Sequence, residues 1–379
     1  MSRIAIFYNR LYDFENNKLL IGGIETYIMD LSRLCLDLGF EVNIYIMLIS
    51  KKDQYHSINY ERINIIEIYG SGYQKIFNYI SKQYTADDIL IIATDMLNIK
   101  SDASNVIAIQ HGISFDYPYS EIKTRLPRIK QFLLISKIRR CINFIHLFDN
   151  VKNKVCVDYN YFNWYRTIAN IEDDQNVVVI PNYCSDIITE EELGYKLHKQ
   201  KKRKILFARR FVKCRGTLLF IEVVKKLMIE FPDLEVTFAG DGDLKELIVN
   251  NFKNCDGVFL KTYKSCESVS FHKTFDIAVI PTIWSEGTSL ALCEAMSAGC
   301  FPVATHVGGI TNIIIDGFNG KLSYPDEKSF YETLREVLIM DDKTFNAIVL
   351  NAYNSARTSF SIDSWEKKWT KFIKKISKK

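Results

Sequence analysis

The alternation of short apolar runs with longer amphipathic stretches constrains the fold of this chain most. The first block of alternation has apolar runs at 3–8, 41–49, 63–69, 88–93, 105–110, 154–158 and 176–180. Segments of helical periodicity lie between several of them, as at 24–38 and 128–147. Runs of this length separated by amphipathic helices are typical of βαβ units, which build a parallel sheet with helices on both faces.

The alternation occurs twice, and a polar stretch at 183–204 separates the two blocks. The second block predicts a helix at 217–231 that Pro232 ends, and strands at 204–210, 234–240, 257–262, 275–282 and 300–304. One hydrophobic core rarely grows beyond about 250–300 residues, and this chain has 379. We therefore predict an α/β protein of two doubly wound, Rossmann-like domains, 1–190 and 200–360, with a linker between them.

The last segment, 361–379, predicts an amphipathic helix at 362–377. Trp365, Trp369, Phe372 and Ile376 recur along one face at helical spacing. Such a face predicts that the helix packs on one of the domains.

Composition excludes several classes of protein. The net charge of +4, from 49 basic and 45 acidic residues, is too small to indicate a nucleic-acid binder. No apolar run approaches the ~20 residues that a membrane-spanning helix needs, and the first residues form a strand pattern rather than a secretion signal. The nine cysteines include no CxxC pair and are expected to be buried thiols in a reducing compartment. The expected location is the cytoplasm, free or peripheral on the inner face of the cell membrane.

Two glutamates follow the predicted strand 275–282. Glu286 lies in the loop at the strand end, and Glu294 lies eight positions later on the following helix. Glu294 is the only charged residue between 287 and 305. Ligands of open parallel sheets bind at the carboxyl ends of the strands. Glu294 either pairs with a structural arginine or caps a loop, or it accepts from a vicinal diol such as a ribose, because a carboxylate has two acceptor oxygens.

The start of that helix is a second feature of the same segment. Its residues are Gly287, Thr288, Ser289 and Leu290. Free backbone N–H groups and the helix dipole at such a start favour a diphosphate or sugar hydroxyls.

Two arginines frame the loop after the predicted strand 204–210. Arg210 and Arg215 stand just before Gly216 and the next helix. Two fixed cations can neutralise the charge that develops on a leaving diphosphate. The alternative is a solvated basic loop, which contributes little.

The first block offers a glycine pair and a histidine. Gly22 and Gly23 open the predicted helix 24–38, and paired glycines allow a ligand to approach the backbone and a helix start. His111 follows the apolar run 105–110. It either satisfies a core carbonyl or, in a cleft, binds the 6-position of a sugar or donates to the reacting centre.

Taken in order, these elements resemble the family 4 glycosyltransferases, which have two Rossmann-like domains facing a central cleft (the GT-B fold). The family's E-x7-E element corresponds to Glu286 and Glu294. Its Arg-x4-Lys pair corresponds to Arg210 and Arg215, so an arginine replaces the lysine, which keeps the charge but changes the geometry.

Further elements of the resemblance are glycine turns. The family's front glycine loop falls on Gly22 and Gly23, and its histidine falls on His111. The segment Gly240-Asp241-Gly242 matches a turn near the nucleotide base, although Asp243 replaces the usual proline. The family's Val-Gly-Gly loop appears as 307–309.

The resemblance implies a retaining, metal-independent transfer of a sugar from a nucleotide diphosphate sugar. The second domain would bind the donor, with Glu294 on the ribose and the arginines on the diphosphate. Glu286 would hold a sugar hydroxyl. The first domain would bind a saccharide or lipid-linked acceptor, and the last helix would cross back onto it. No Asp-x-Asp stands in a setting suited to a metal, so neither a metal nor another cofactor is expected.

The segment 123–140 mixes cations with large apolar residues. Lys123, Arg125, Arg128, Lys130, Lys137, Arg139 and Arg140 lie among apolar side chains, and Lys152 and Lys154 follow. This surface is either a contact for an anionic membrane or an ordinary amphipathic helix with solvated lysines.

Three other functions compete with a glycosyltransferase. A nucleotide-sugar epimerase can share the fold but needs acid and base groups beyond those named. A dehydrogenase is disfavoured because no GxGxxG follows the first strand. A non-catalytic scaffold is the third. Frequent Ile, Lys and Asn suggest a bacterial source, and surface polysaccharide or lipopolysaccharide synthesis follows only by analogy with the family.

Overall fold

The structure is a computed structural model, which describes residues 2–20, 22–49, 56–113, 127–168, 176–198 and 203–377, without the side chains of 127–134 and 265. The chain divides into two compact units. The first comprises 1–112, 124–180 and 366–379, and the second comprises 113–123 and 181–365. Each unit is an α/β layer structure, as predicted.

Within the described residues, the first unit contains an eight-stranded sheet in the order β10-β9-β8-β7-β1-β4-β6-β5. Neighbouring strands run parallel except for β5, which is antiparallel to β6 at one edge. The strands, with the small β2-β3 hairpin, are β1 (Arg3–Tyr8), β2 (Tyr12–Asp13), β3 (Lys18–Leu19), β4 (Glu41–Leu48), β5 (Ser57–Tyr60), β6 (Ile63–Tyr69), β7 (Ile89–Ile92), β8 (Val106–Gln110), β9 (Asn153–Cys156) and β10 (Asn176–Val179). The helices between them are α1 (Gly23–Asp37), α2 (Tyr73–Ser81), α3 (Pro127–Asp149) and α4 (Tyr159–Arg166).

The second unit contains a parallel sheet, with six strands among the residues described, in the order β13-β12-β11-β14-β15-β16. Its strands are β11 (Ile205–Ala208), β12 (Val236–Ala239), β13 (Val258–Lys261), β14 (Ile277–Ile280), β15 (Phe301–Thr305) and β16 (Lys321–Ser323). Its helices are α5 (Glu190–His198), α6 (Thr217–Glu230), α7 (Lys245–Phe252), α8 (Ser268–His272), α9 (Leu290–Ser297), α10 (Glu327–Ile339) and α11 (Asp342–Ser359).

The central strands are continuous apolar runs because helices cover both faces of each sheet. All four residues of β7, β11 and β14 are buried, and they read Ile-Leu-Ile-Ile, Ile-Leu-Phe-Ala and Ile-Ala-Val-Ile. Strands buried on both faces lose the polar–apolar alternation of a half-exposed strand. The twelve strands predicted from these runs are all present, and each end agrees to within two residues.

The predicted linker at 183–204 is wrong. The structure ends the first unit at residue 180, and α5 follows within the second unit. Leu193 of α5 is buried in the core of the second unit, and the Tyr353 hydroxyl donates to the Ile188 carbonyl at 2.8 Å. The surface of this short helix is polar, and that polarity was misread as a linker.

Two predictions of surface character also need correction. Cys266 is exposed, and Cys141, Cys214 and Cys255 are only partly buried. The other five cysteines are buried as expected: Cys35, Cys156, Cys184, Cys293 and Cys300. Lys154, assigned to a basic surface, is 1% exposed. Its ammonium donates to the Leu147 carbonyl at 2.9 Å and lies 3.9 Å from Asp95, because its side chain points from β9 into the layer under α3.

The last helix, α12 (Ile362–Ile376), confirms the predicted apolar face and its return to the first unit. Trp369 is fully buried, and its indole N–H donates to the Tyr27 hydroxyl of α1 at 2.8 Å. Phe372 and Ile376 are buried on the same face. This helix therefore completes the core of the first unit.

Replacing Trp369 by alanine should lower the free energy of unfolding of the first unit by about 3–5 kcal/mol, because it removes a fully buried aromatic side chain and leaves a cavity. Urea unfolding followed by far-UV circular dichroism measures the change. Lys371→Ala, on the exposed face of the same helix, is the control and should change it by less than about 0.5 kcal/mol. Equal effects of the two substitutions would contradict this role of α12.

Candidate functional site

The acidic and basic residues predicted for the donor lie at one edge of the second sheet. Strands β12, β11 and β14 are neighbours in that sheet and run parallel. The loops after their carboxyl ends carry Gly240, Arg209 and Glu286. Carboxyl ends of parallel strands meet at one edge, which is where open α/β sheets bind ligands.

Glu286 is the centre of a buried charge cluster. Its Oε2 accepts hydrogen bonds from Arg209 Nη2 at 2.8 Å, from the Thr282 hydroxyl at 2.9 Å and from Arg215 Nη1. The carboxylate side chain is 9% exposed. Burial raises its pKa, but the charges of Arg209 and Arg215 outweigh that effect and leave the pKa below its usual value. Glu286 is therefore ionised at neutral pH.

The three donors all bind the same oxygen of Glu286. No described residue donates to Oε1. The second carboxylate oxygen is also an acceptor, so Oε1 is available to a ligand hydroxyl.

Arg209, rather than Arg210, contacts Glu286. The Arg209 side chain is 6% exposed and also donates to the Thr282 hydroxyl at 2.7 Å. Arg210 is exposed. Strand β11 ends at Ala208, and the chain after it turns only the first of the two adjacent arginines toward the cluster. Arg209 and Thr282 were not predicted from the sequence. The position of Arg209 directly after the apolar strand β11 does indicate a residue at the sheet edge.

Glu294, on α9, has the opposite electrostatic setting. Burial raises its pKa to about 7, while a hydrogen bond with Ser268 and the charge of Arg209 lower it. Within the described part of the chain, Glu294 forms no salt bridge. The ion-pair interpretation therefore lacks a partner here, and beside its hydrogen bond with Ser268 the carboxyl group has acceptor capacity left for a diol.

The loop between β14 and α9 contains polar atoms without partners. Ser289, at the start of α9, is 2% exposed, and its hydroxyl has no hydrogen-bond partner among the described residues. The same holds for the Ser285 hydroxyl and for Oδ1 of Asn182, whose amide donates to the Thr288 carbonyl at 2.7 Å. Buried polar atoms are nearly always hydrogen-bonded, so this loop has capacity for a polar ligand. Asn182 was not predicted from the sequence.

The glycine turn at 240–242 fixes the backbone of the arginine loop. The Phe211 N–H donates to the Asp241 carbonyl at 2.8 Å. Gly240 has a φ of 145°, and a Cβ there would lie 2.2 Å from the Arg209 carbonyl oxygen. The Asp241 side chain is exposed and lies 3.4 Å from Lys245. Only glycine therefore allows this approach to Arg209.

A second glycine supports Glu286. The Gly309 N–H donates to the Glu286 carbonyl at 2.7 Å. Gly308 has a φ of 49°, and a Cβ there would lie 2.3 Å from the same carbonyl oxygen. The Val-Gly-Gly loop thus packs directly on the backbone of the acidic residue. Gly287 and Leu290, on either side of Thr288 and Ser289, are partly exposed.

The glycine pair of the first unit lies at the carboxyl end of β1. Gly22 is the N-cap of α1 and Gly23 is its first residue. Nearby, the Tyr8 hydroxyl donates to Glu25 at 3.1 Å. The start of α1 therefore carries a carboxylate as well as backbone N–H groups.

His111 follows β8, and a hydrogen bond at one of its ring nitrogens holds the side chain in place. Its Nε2 lies 2.9 Å from the Ala93 carbonyl, which can only accept, so Nε2 carries the proton. Burial lowers the pKa of His111 to about 4. The Tyr27 ring contacts it edge-on at 5.3 Å. At neutral pH the free nitrogen, Nδ1, is thus an acceptor for a hydroxyl and not a proton donor.

No group of three or more His, Cys, Asp or Glu side chains lies close enough together to hold a metal ion in the part of the chain that the structure describes. In the same residues, every helix is too short or too polar to cross a bilayer.

Comparison with known proteins identifies the family. Residues 189–355 match the sequence profile described as "Glycosyl transferases group 1". An uncharacterized glycosyltransferase of Methanocaldococcus jannaschii is 32% identical over 333 residues, which cover 84% of each chain. This chain belongs to the group 1 glycosyltransferases.

Two further relatives extend the comparison of this glycosyltransferase. The UDP-Gal:alpha-D-GlcNAc-diphosphoundecaprenol alpha-1,3-galactosyltransferase of Escherichia coli is 24% identical over 68% of this chain and 65% of its own length. The pneumococcal O-GlcNAc transferase GtfA, solved with UDP and GlcNAc, superposes with a TM-score of 0.68 at 11% identity over 99% of both chains. The superposition shows a shared GT-B fold.

Some matches cover a limited part of the relative. The alignment with the sulfoquinovosyl transferase SQD2 of Arabidopsis thaliana spans 20% of that protein, and the E. coli alignment spans 65%.

Gly308→Ala should destabilise the second unit by about 2 kcal/mol or more, because the new Cβ meets the Glu286 carbonyl oxygen as well as requiring a left-handed backbone. Gly317→Ala is the matched control. Gly317 also has a positive φ, 73°, but nothing lies within 4 Å of its Cβ position, so about 1–2 kcal/mol of backbone strain is expected alone. Urea unfolding of both variants measures the difference, and equal losses would contradict the close packing at Glu286.

Proposed function

We propose that this chain is a retaining, metal-independent glycosyltransferase of family 4. It transfers a hexose from a nucleotide diphosphate sugar to a saccharide or lipid-linked acceptor. The proposal rests on the hydrogen bonds of Glu286. Three donors hold its Oε2 in a buried charge cluster, and its Oε1 is available to a ligand. Glu294, eight positions later, supplies a second carboxyl group, which forms no ion pair with the described residues.

The donor is a nucleotide-sugar in this proposal. Glu294 accepts hydrogen bonds from the ribose hydroxyls, and Oε1 of Glu286 accepts one from a hydroxyl of the sugar. The unpartnered hydroxyls of Ser285 and Ser289 complete the polar contacts. The E. coli relative is named for a UDP-galactose donor, and GtfA was solved with UDP, which supports a nucleoside diphosphate.

The leaving diphosphate is stabilised by cations of the chain itself. Arg210 is exposed beside the cluster, and the Arg215 side chain is 25% exposed, so both are accessible to phosphate oxygens. The N-terminus of α9 adds backbone N–H groups. These positive charges provide the stabilisation that a divalent ion provides in other transferases.

Retention of configuration follows from attack on the face that the leaving group departs. The bond between the anomeric carbon and the phosphate oxygen breaks, and its electron pair leaves with the diphosphate. The acceptor oxygen forms the new bond, and its proton passes to a phosphate oxygen. His111 accepts a hydrogen bond from a substrate hydroxyl at Nδ1, since the pKa of about 4 keeps the ring neutral.

The acceptor is a growing surface polysaccharide or lipopolysaccharide, free or lipid-linked, in this proposal. The E. coli relative is named for a diphosphoundecaprenol-linked acceptor. A lipid-linked acceptor requires the enzyme to work at the inner face of the cell membrane, which agrees with the expected cytoplasmic or peripheral location.

Helix α3 provides the surface for that membrane. Ile135, Ile138 and Ile142 are each about half exposed or more, and their i, i+3, i+7 spacing places them on one face. Arg139 and Arg140 are exposed beside them. Apolar side chains flanked by arginines suit an anionic leaflet. The cations predicted at 123 and 125 lie outside the described residues, as do the side chains of 128 and 130.

Donor binding is tested by thermal stabilisation with UDP-, GDP-, ADP- and dTDP-sugars and the matching diphosphates. One nucleotide series should raise the Tm by several degrees at 100 times its Kd, equally with and without EDTA. Glu294→Gln should abolish most of the rise, while Glu332→Gln, an exposed glutamate, should not.

Two outcomes decide against this function. A rise that requires a divalent metal refutes metal independence, and no rise with any nucleotide refutes the donor site. The anomeric configuration of the product, read from its proton coupling constant, tests retention.

Flotation with liposomes tests the membrane surface. Vesicles that contain anionic lipid should carry the protein upward, and purely zwitterionic vesicles should carry much less. The double variant Arg139→Ala/Arg140→Ala should lower binding about tenfold or more, at roughly 1 kcal/mol for each basic residue. Arg335→Ala/Arg357→Ala, in the second unit, is the control. Equal flotation on both vesicle types would reject the surface.

A further inference from the structure

We propose that Arg209 is a positioning residue that holds Glu286 so that the enzyme selects the sugar of its donor. The inference rests on the proposed donor site. It adds a residue outside the Arg-x4-Arg pair and the two glutamates, and it assigns that residue to sugar recognition rather than to the diphosphate.

The geometry is a closed triangle of hydrogen bonds. Arg209 donates from Nη1 to the Thr282 hydroxyl at 2.7 Å and from Nη2 to Glu286 Oε2 at 2.8 Å. The Thr282 hydroxyl in turn donates to the same Oε2 at 2.9 Å. Thr282 is fully buried, and the Arg209 side chain is 6% exposed. Each member of the triangle therefore fixes the other two.

The triangle determines which oxygen of Glu286 faces a ligand. The terminal torsion of a glutamate is broad, so an unheld carboxylate samples many orientations. Here the donors occupy Oε2, and Oε1 remains open in one direction. A hydroxyl of the donor sugar that meets Oε1 binds a preorganised acceptor, which is the condition for selective recognition.

Arg209 and Arg215 differ in exposure, and this difference assigns their roles. The Arg215 side chain is 25% exposed, so it can contact Glu286 and a phosphate oxygen together. The enclosed guanidinium of Arg209 has both terminal nitrogens committed within the protein. Arg209 thus acts on the substrate through Glu286.

Arg209 also keeps the cluster charged. The charged groups that act on Glu286 are Arg209 and Arg215, and Arg209 also acts on Glu294 and Cys214. Removal of Arg209 leaves the desolvation of Glu286 opposed by one cation, so its pKa rises. The pKa of Glu294, about 7, also rises without the charge of Arg209, so both carboxylates are lost at a higher pH and the acid limb of activity moves upward.

The experiment compares wild type with Arg209→Met, Arg209→Lys, Glu286→Gln and the double variant Arg209→Met/Glu286→Gln. Calorimetry measures the Kd of the nucleoside diphosphate and of its nucleotide-sugar, using the pair that stabilises the wild type most. Kinetics measure kcat/KM against pH. Arg357→Met, which removes an exposed arginine paired with Glu190, is the control.

Arg209→Met should bind the diphosphate within about threefold of wild type but lose about 10- to 100-fold in affinity for the nucleotide-sugar. The double variant should bind the nucleotide-sugar no more weakly than Glu286→Gln does, because the two substitutions remove the same interaction. The acid limb should move to higher pH in Arg209→Met and stay in place in Arg209→Lys, which keeps the charge. Arg357→Met should behave as wild type.

Several results would overturn the inference. One is an equal loss of affinity for the diphosphate and the nucleotide-sugar in Arg209→Met. The others are additive losses of affinity in the double variant and an unchanged acid limb of kcat/KM in Arg209→Met. If Arg209→Met does not fold, Arg209→Lys and Thr282→Val break the triangle while keeping its charge, and both must show the sugar-specific loss. A wild type that binds no nucleotide refutes the proposed function itself, and that result is distinct from these.

Discussion

The second unit depends on how it keeps a carboxylate charged inside the protein. An isolated buried charge costs several kcal/mol, and paired cations with hydrogen bonds offset that cost. Arg209, Arg215 and Thr282 provide the offset at Glu286. The surrounding loops serve this cluster, since Gly240 packs on the Arg209 carbonyl and Gly308 packs on the Glu286 carbonyl. The backbone on both sides of the ion pair is thus fixed before any ligand binds.

Glu286 and Glu294, eight positions apart, consequently differ in chemistry. Paired arginines lower the pKa of Glu286, whereas burial without an ion pair raises that of Glu294 to about 7. Two neighbouring titratable groups whose pKa values are shifted in opposite directions are characteristic of a functional site. One glutamate has a fixed charge, and the other can respond to the ligand that it meets.

The first unit positions its histidine through the last helix. Trp369 donates to Tyr27, whose ring contacts His111 edge-on, and His111 is bonded to the Ala93 carbonyl at the end of β7. This chain of contacts fixes the ring orientation and the tautomer. The Ala93 carbonyl thus sets the tautomer of His111, while Trp369 of the last helix bonds the tyrosine that packs against its ring.

The sequence alone determined the layers, the last helix and the acidic pair. Strands buried on both faces must be apolar throughout, and an apolar stripe on a helix must find a core, so both leave a local pattern. Tertiary packing decided what no local pattern encodes. Arg209 and Arg210 are adjacent, and only the direction of the backbone at the sheet edge turns Arg209 rather than Arg210 toward Glu286. Lys154 is buried because a carbonyl of α3 accepts a hydrogen bond from its ammonium group. Burial and partnership of a charge arise from distant segments, and the sequence near that charge does not record them.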